Sequence, residues 1–208
     1  MTLYDYLLGK YGFNEPILTT EIRYKDYSKP WLYKEINRLV KDGKLMKFDK
    51  GIYYIPKDTP FGKGILNPNK VIEKKYINDG SDVIGYYSGI SFLNMIGMSS
   101  QVANRVEIYT NKETSKFREV SVGRQRVILR RARVNITKKN APVLGLLEMM
   151  NFVSPDFFGD EEKKLAAEYI ERNNIAKGDI TKYAPFFPDK ALKTFVESEV
   201  VYTERFLV

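Results

Sequence analysis

Basic and amide side chains are spaced along one face of a predicted helix near the start of the chain. Within residues 28–56, the apolar residues Leu32, Ile36, Leu39 and Val40 recur at the i, i+4, i+7, i+8 spacing of one buried helical face. At about 100° per residue, the opposite face is polar and basic. It carries Pro30, Lys34, Asn37, Arg38 and Lys41. Cationic side chains contact phosphates and asparagine can pair bidentately with adenine, so the pattern favours nucleic-acid binding.

Capping residues and a hairpin surround this helix. Ser28 can cap its start, Pro30 is tolerated in the first turn, and Gly43 can end it in a left-handed conformation. Two short strands follow, over residues 45–48 and 52–55, joined by Asp49-Lys50-Gly51.

The elements before this helix complete a known type of module. Helices are predicted over residues 2–10 and 21–24. Three helices followed by a basic-tipped hairpin are typical of the winged form of the helix-turn-helix, in which one helix enters the major groove. Two other interpretations remain open, a solvated helix with lysines outside and a winged helix that contacts only protein.

Composition and charge exclude several function classes. The 208 residues are 43% hydrophobic and carry a net charge of +8, which favours a core and a polyanionic partner. The absence of cysteine and histidine removes disulfides, thiolate sites and the commonest general base. We see no signal peptide and no membrane span, and expect a cytoplasmic protein with no membrane partner.

The remainder of the chain predicts a mixed α/β domain, so the fold class is α+β. We place the domains at residues 1–57 and 58–208, with a connector rich in proline and glycine over residues 57–69. Apolar and alternating runs predict strands near residues 83–87, 104–110, 117–122 and 124–134. Helices are predicted near residues 68–77, 88–97, 142–151, 160–173, 179–183 and 188–198.

A second basic run lies in the middle of the chain. Residues 61–158 hold 15 Lys/Arg and 8 Asp/Glu, net +7, against net +3 for residues 1–60. The run is a solvated edge or a second phosphate-facing surface, and we favour the latter because arginine suits bidentate phosphate contacts. Its members are Arg124, Arg126, Arg130, Arg131 and Arg133.

No residues combine into a catalytic motif. The glycines form neither a P-loop nor a dinucleotide fingerprint. Asp82 and Glu107 resemble the first part of a metal-nuclease pattern, but Tyr109 stands where that pattern requires lysine. We therefore expect no catalytic residues, no metal site, no cofactor and no enzymatic activity.

Three segments of this chain resemble the type IV abortive-infection antitoxins, the partners of nucleotidyltransferase-like toxins. The first is LVKDGKLMKFDKGIYYIP at residues 39–56, and the second is TPFGKGILNP at residues 59–68. The third, GYYSGISFLNMIGMSSQVANRVEIYTN at residues 85–111, is the most specific, because ordinary winged-helix regulators do not follow the wing with it. The resemblance covers most of residues 1–150.

This resemblance implies a repressor that binds inverted repeats in its own promoter and antagonises its toxin without a stable complex. The DNA-contacting residues that it implies are Lys29, Tyr33, Lys34, Asn37, Arg38, Lys47 and Lys50. Two alternatives remain open. One is a ligand-responsive repressor with an apolar sensor cleft within residues 83–150, and the less favoured one is a nuclease.

Overall fold

The computed structural model describes residues 1–25 and 27–202, with only the backbone at Tyr202. Helices and strands both contribute, so the protein is of the mixed α+β class. The chain divides into two compact units. The first unit comprises Met1–Lys74 with Val122–Arg124, and the second comprises Lys75–Ser121 with the chain from Gln125 onward. No helix in the described part of the chain has the length and apolar character needed to cross a bilayer.

Short helices and strands make up the first unit. In chain order they are α1 (Leu3–Tyr11), β1 (Ile17–Leu18), α2 (Lys29–Lys41), β2 (Met46–Asp49), β3 (Ile52–Tyr54), β4 (Asp58–Thr59), β5 (Gly62–Lys63) and α3 (Pro68–Ile72). Strand β3 is the centre of a three-stranded sheet in the order β1-β3-β2, antiparallel to both neighbours. The core of this unit joins α1, α2 and the sheet through Leu7, Ile17, Ile36, Leu39 and Ile55.

The predicted caps of α2 are confirmed. The Ser28 hydroxyl accepts a hydrogen bond from the Trp31 amide, and proline lies in the first turn. At the other end Gly43 adopts a φ of 68°, the left-handed conformation that glycine favours. The amides of Gly43 and Lys44 donate to the carbonyls of Val40 and Leu39, which satisfies the last turn of the helix.

The predicted second helix over residues 21–24 is wrong. Only a single 3-10 turn forms there, over Thr19–Glu21, and the chain then extends. A four-residue helix gains too few hydrogen bonds to offset its nucleation cost, whereas the extended backbone buries Ile22 and Tyr24 in the core. Strand β1, which no sequence signal predicted, comes just before this turn and pairs with β3.

The first compact unit extends beyond the boundary predicted at residue 57. Leu66, Val71 and Ile72 are fully buried. Lysines after the predicted boundary also bind the helical part of the unit. Lys63 donates to the Gly43 carbonyl, and Lys74 pairs with Glu21 at 3.1 Å. The predicted connector is therefore a folded part of the first unit.

The second unit combines a four-stranded sheet with helices, most of which follow the sheet in the chain. Two short strands, β6 (Asn78–Asp79) and β7 (Asp82–Val83), form a separate hairpin. The sheet strands are β8 (Gly85–Ser88), β9 (Val106–Thr110), β10 (Phe117–Val122) and β11 (Gln125–Arg131). The helices are α4 (Gly89–Met95), α5 (Ala141–Phe152), α6 (Asp160–Arg172), α7 (Lys177–Tyr183) and α8 (Asp189–Glu197). All nine of these sheet strands and helices lie near their predicted positions.

The sheet has the order β10-β11-β9-β8, and β9 runs parallel to β11 but antiparallel to β8. Helix α5 packs against the sheet face that carries Tyr86 and Tyr109, and its side chains are buried almost all round. One charged side chain, Glu148, lies in the middle of this otherwise apolar helix. A buried carboxylate needs partners, and the sheet supplies them, as described below.

We expect Gly85→Ala to destabilise the protein by about 3 kcal/mol or more, because overpacking against rigid backbone is costly. A Cβ at Gly85 would lie 2.1 Å from the Tyr76 carbonyl oxygen and 2.8 Å from that of Tyr109. The matched control is Gly178→Ala in α7, where no atom lies within 4 Å of the added carbon. Urea denaturation of both variants measures the difference, and equal stabilities would contradict the packing described.

Candidate nucleic-acid interface

Every side chain predicted to contact DNA from α2 and the following hairpin is exposed. The apolar residues Ile36 and Leu39 anchor the helix in the core, which turns its polar face to solvent. The exposed set comprises Lys29, Tyr33, Lys34, Asn37, Arg38, Lys41, Lys47 and Lys50. Its donors are suited to phosphate oxygens, and its asparagine to a base edge.

Ion pairing leaves most of this charge available. Arg38 pairs with Glu35 at 2.9 Å, one turn away along the helix. Its side chain is still 64% exposed, so this surface pair is weak and can exchange for a phosphate. Lys34 and Lys41 form no ion pair within the described residues. The helix therefore presents an excess of positive charge.

The β2–β3 hairpin places two further lysines beside α2 in the sequence. Gly51 adopts a φ of 72°, so the chain reverses tightly after Lys50. The pairing register shifts between Lys47 and Asp49, which marks a bulge in β2. Lys47 and Lys50 are both exposed. The predicted basic-tipped hairpin is confirmed as a structure.

Sequence reasoning missed an aromatic cluster at the start of α2. The rings of Tyr27 and Trp31 stack at 3.8 Å between centroids, and Tyr24 stacks on Tyr27 at 5.7 Å. Tyr24 and Tyr27 border a cavity of about 380 Å³ that is also lined by Arg23, Lys25, Lys29 and Tyr33. The spacing of the three aromatics, at i, i+3 and i+7, was the signal available in the sequence.

The first unit is more basic than the sequence boundary suggested. It contains 15 Lys/Arg and 9 Asp/Glu, a net charge of +6, whereas residues 1–60 carry +3. The difference comes from Lys63, Lys70, Lys74 and Arg124, offset by Glu73. A positive field of this size attracts a polyanion to the unit that carries α2.

The predicted second basic surface is largely neutralised by carboxylates. Arg126 pairs with Glu119 at 2.5 Å and Arg130 with Glu107 at 3.0 Å. Arg133 pairs with Glu148, also at 3.0 Å. Of the five predicted arginines, only Arg124 and Arg131 are exposed and form no ion pair within the described residues. The structure thus leaves two of the five arginines free for phosphate contacts.

Arg133 belongs to a hydrogen-bond network around the buried Glu148 carboxylate. The Glu148 carboxylate, almost fully buried, accepts hydrogen bonds from Arg133 Nε at 3.0 Å, Tyr109 Oη at 3.1 Å and Asn151 Nδ2 at 3.1 Å. Burial, together with the adjacent Glu148 carboxylate, raises the pKa of Tyr109 to about 12, so its hydroxyl remains a donor at neutral pH. The lone glutamate in an apolar helix was the sequence signal for this network.

The two carboxylates compared with a metal-nuclease pattern have other environments. Glu107 is bound to Arg130, and Asp82 is exposed in β7 opposite Asp79. Among the residues that the structure describes, no three acidic side chains converge as a metal site would require. Neither Asp82 nor Glu107 therefore belongs to an acidic cluster in the described part of the chain.

Two clefts of the second unit bear on the ligand-sensing alternative, which expects an apolar cleft within residues 83–150. A cleft of about 500 Å³ does involve this region, but basic side chains dominate its lining. A more apolar groove of about 590 Å³ lies between α7 and α8 instead, lined by Ile180, Phe187 and Leu192 among others. The basic cleft is thus suited to anions rather than to an apolar ligand.

The fold and this surface define a class, a two-unit α+β protein with an exposed basic helix and hairpin in its first unit. The chain belongs to a family of unknown function, DUF6088, whose sequence profile matches residues 19–152. That span includes α2, the hairpin, the four-stranded sheet and α5. Among curated proteins, none matches this chain.

Replacing Arg133 with glutamine should lower the free energy of unfolding by about 3 kcal/mol, because the buried Glu148 side chain would lose its cationic partner. The matched control is Arg131→Gln, two residues away, whose exposed side chain should contribute less than about 0.5 kcal/mol. Chemical denaturation at neutral pH measures both changes. Equal stability of the two variants would show that the Glu148 network does not stabilise the fold.

Proposed function

We propose that the first unit is a winged helix-turn-helix that binds promoter DNA, with α2 in the major groove and the β2–β3 hairpin on the adjacent backbone. One observation carries this proposal: all eight predicted contact residues are exposed on one helix and the hairpin after it. The major groove admits an α-helix, and its base edges distinguish all four base pairs. Asn37 and Lys34 are the side chains best suited to base edges.

The topology of the first unit also supports the proposal. A winged module needs a helix whose following hairpin is held by a third strand, and here β1 pairs with β3 of the hairpin. The unit departs from the usual pattern at the second helix, which is reduced to the 3-10 turn Thr19–Glu21. The rings of Tyr24, Tyr27 and Trp31 stack on one another where the chain enters α2.

We further propose that the protein is the antitoxin of a type IV toxin–antitoxin pair and represses its own operon. Support comes from the resemblance of residues 39–56, 59–68 and 85–111 to that family. In this role the chain is not an enzyme and acts in the cytoplasm, where its promoter lies. Its functional partner is a nucleotidyltransferase-like toxin, which it opposes without a stable complex.

The double variant Lys34→Ala with Asn37→Ala should lose sequence-specific promoter binding. Each lost base contact costs about 1–3 kcal/mol, so the two together should weaken specific binding by at least tenfold. Both side chains are exposed, so the fold should be unaffected. A gel-shift titration on the promoter fragment and on a scrambled fragment gives the specific and non-specific affinities.

The control for charge is Lys164→Ala, which removes one exposed lysine from α6 in the second unit. It should leave promoter affinity unchanged. If the α2 double variant binds the promoter as tightly as this control, α2 is not the recognition helix.

The same double variant separates the two proposed roles. In cells that carry a promoter fusion, it should derepress the operon, because α2 no longer reads the operator. When co-expressed with the toxin from the neighbouring reading frame, it should still protect the cells, because the second unit is unaltered. Loss of protection at equal protein levels would show that antitoxicity depends on DNA binding.

A further inference from the structure

A basic cleft opens in the second unit at the ends of two parallel strands. Strands β9 and β11 pair in parallel and end at Thr110 and Arg131. The cleft has a volume of about 500 Å³ and is lined by Tyr109, Lys116, Arg130, Arg131, Arg133 and Phe186, with Ala132. Ligands of open α/β sheets bind at the carboxyl ends of parallel strands, and this volume is typical of small-molecule sites.

Two of the arginines in this cleft are held in place before any ligand arrives. Arg133 is bound to the buried Glu148 and lies over the rings of Tyr109, at 5.6 Å, and Phe187, at 5.0 Å. Arg130 is bound to Glu107 through Nε at 3.0 Å. A guanidinium has five N–H donors, so each retains donors for a ligand. Fixed donors lose little conformational entropy on binding.

The positive charge of the cleft favours an anionic ligand. Four cationic side chains line it, and two of them are paired with Glu107 and Glu148, which leaves two unbalanced positive charges among the described residues. Lys116 and Arg131 form no ion pair within the described residues and supply that excess. A dianionic group such as a phosphate monoester matches this charge, and arginine binds phosphate bidentately.

The remaining wall is aromatic. Phe186, which follows Pro185 in a 3-10 turn, is 52% exposed. Exposed aromatic rings beside phosphate-binding arginines are typical of sites that stack a nucleobase. A duplex is less suited to the cleft, because Arg130 and Arg133 are recessed, with 33% and 27% of their side chains exposed.

We propose that this cleft binds a nucleotide-sized ligand, with its phosphate on Lys116, Arg130 and Arg131 and its base against Phe186. The site shares no residue with α2 or the hairpin and does not depend on the DNA-binding function proposed above. The second unit would then bind a small phosphorylated ligand.

Isothermal titration calorimetry of the full chain tests the site. The probes are the mono-, di- and triphosphates of adenosine, guanosine, cytidine and uridine, with inorganic phosphate for comparison. We expect at least one nucleotide to bind saturably at one site per chain, and more tightly than inorganic phosphate. If none of the nucleotides binds saturably, the proposal is overturned.

Three single variants locate the binding. Lys116→Gln and Arg131→Gln should each weaken nucleotide and inorganic phosphate about tenfold, since each removes a charge-assisted hydrogen bond. Phe186→Ala should weaken the nucleotide about tenfold but leave inorganic phosphate unchanged. The matched control is Lys139→Gln, an exposed lysine outside the cleft, which should change neither affinity.

Two results from these variants would also overturn the proposal. The first is wild-type nucleotide affinity in both Lys116→Gln and Arg131→Gln, with circular dichroism showing an intact fold. The second is that no nucleotide binds, whereas the protein binds a random-sequence DNA duplex and the Arg131→Gln variant binds that duplex more weakly. That result would assign the free arginine to DNA rather than to a small ligand.

Discussion

The burial of Ile36 and Leu39 determines which face of α2 remains outside. These two side chains join a core that includes α1 and the three-stranded sheet, so α2 cannot rotate about its axis without exposing apolar surface. Its polar face is therefore fixed before any partner arrives. The tight turn at Gly43 then leads directly into the hairpin, so the basic helix and the basic hairpin are adjacent in the sequence.

The two units use positive charge in different ways. In the first, lysines of α2 and the hairpin are exposed and largely without carboxylate partners in the described residues. In the second, Arg126, Arg130 and Arg133 are paired with Glu119, Glu107 and Glu148, and only the carboxylate of the last pair is buried. Exposed lysines suit a partner that exchanges counterions, such as DNA. Paired arginines suit a fixed site whose geometry must be maintained.

Sequence patterns predicted most helices and strands because hydrophobic periodicity and caps act locally. The helix over Lys29–Lys41, its serine cap and the left-handed Gly43 all follow from neighbouring residues. Tertiary contacts decided what was missed. Strand β1 exists because β3 pairs with it, and the segment at 21–24 extends because Ile22 and Tyr24 reach the core. No local signal could report either contact.

The candidate sites likewise divide into features that local sequence patterns predict and features that depend on tertiary contacts. The exposed face of α2 was predictable, because its period alone separates buried from exposed positions. The pairing of Arg126, Arg130 and Arg133 was not predictable, since their carboxylate partners lie 7 to 23 residues away in the sequence. The basic run therefore suggested a broad phosphate-binding surface, whereas the structure gives a cleft with two unpaired cations.

Lysine footprinting on promoter DNA tests the proposed function most directly. The protein is acetylated with a lysine-reactive reagent, free and bound to its own promoter, and each site is quantified by mass spectrometry. We predict that DNA protects Lys29, Lys34, Lys41, Lys47 and Lys50 and leaves Lys164 and Lys193 of the second unit equally reactive. Unchanged reactivity of the five lysines in a saturated complex would contradict DNA binding through α2 and its hairpin.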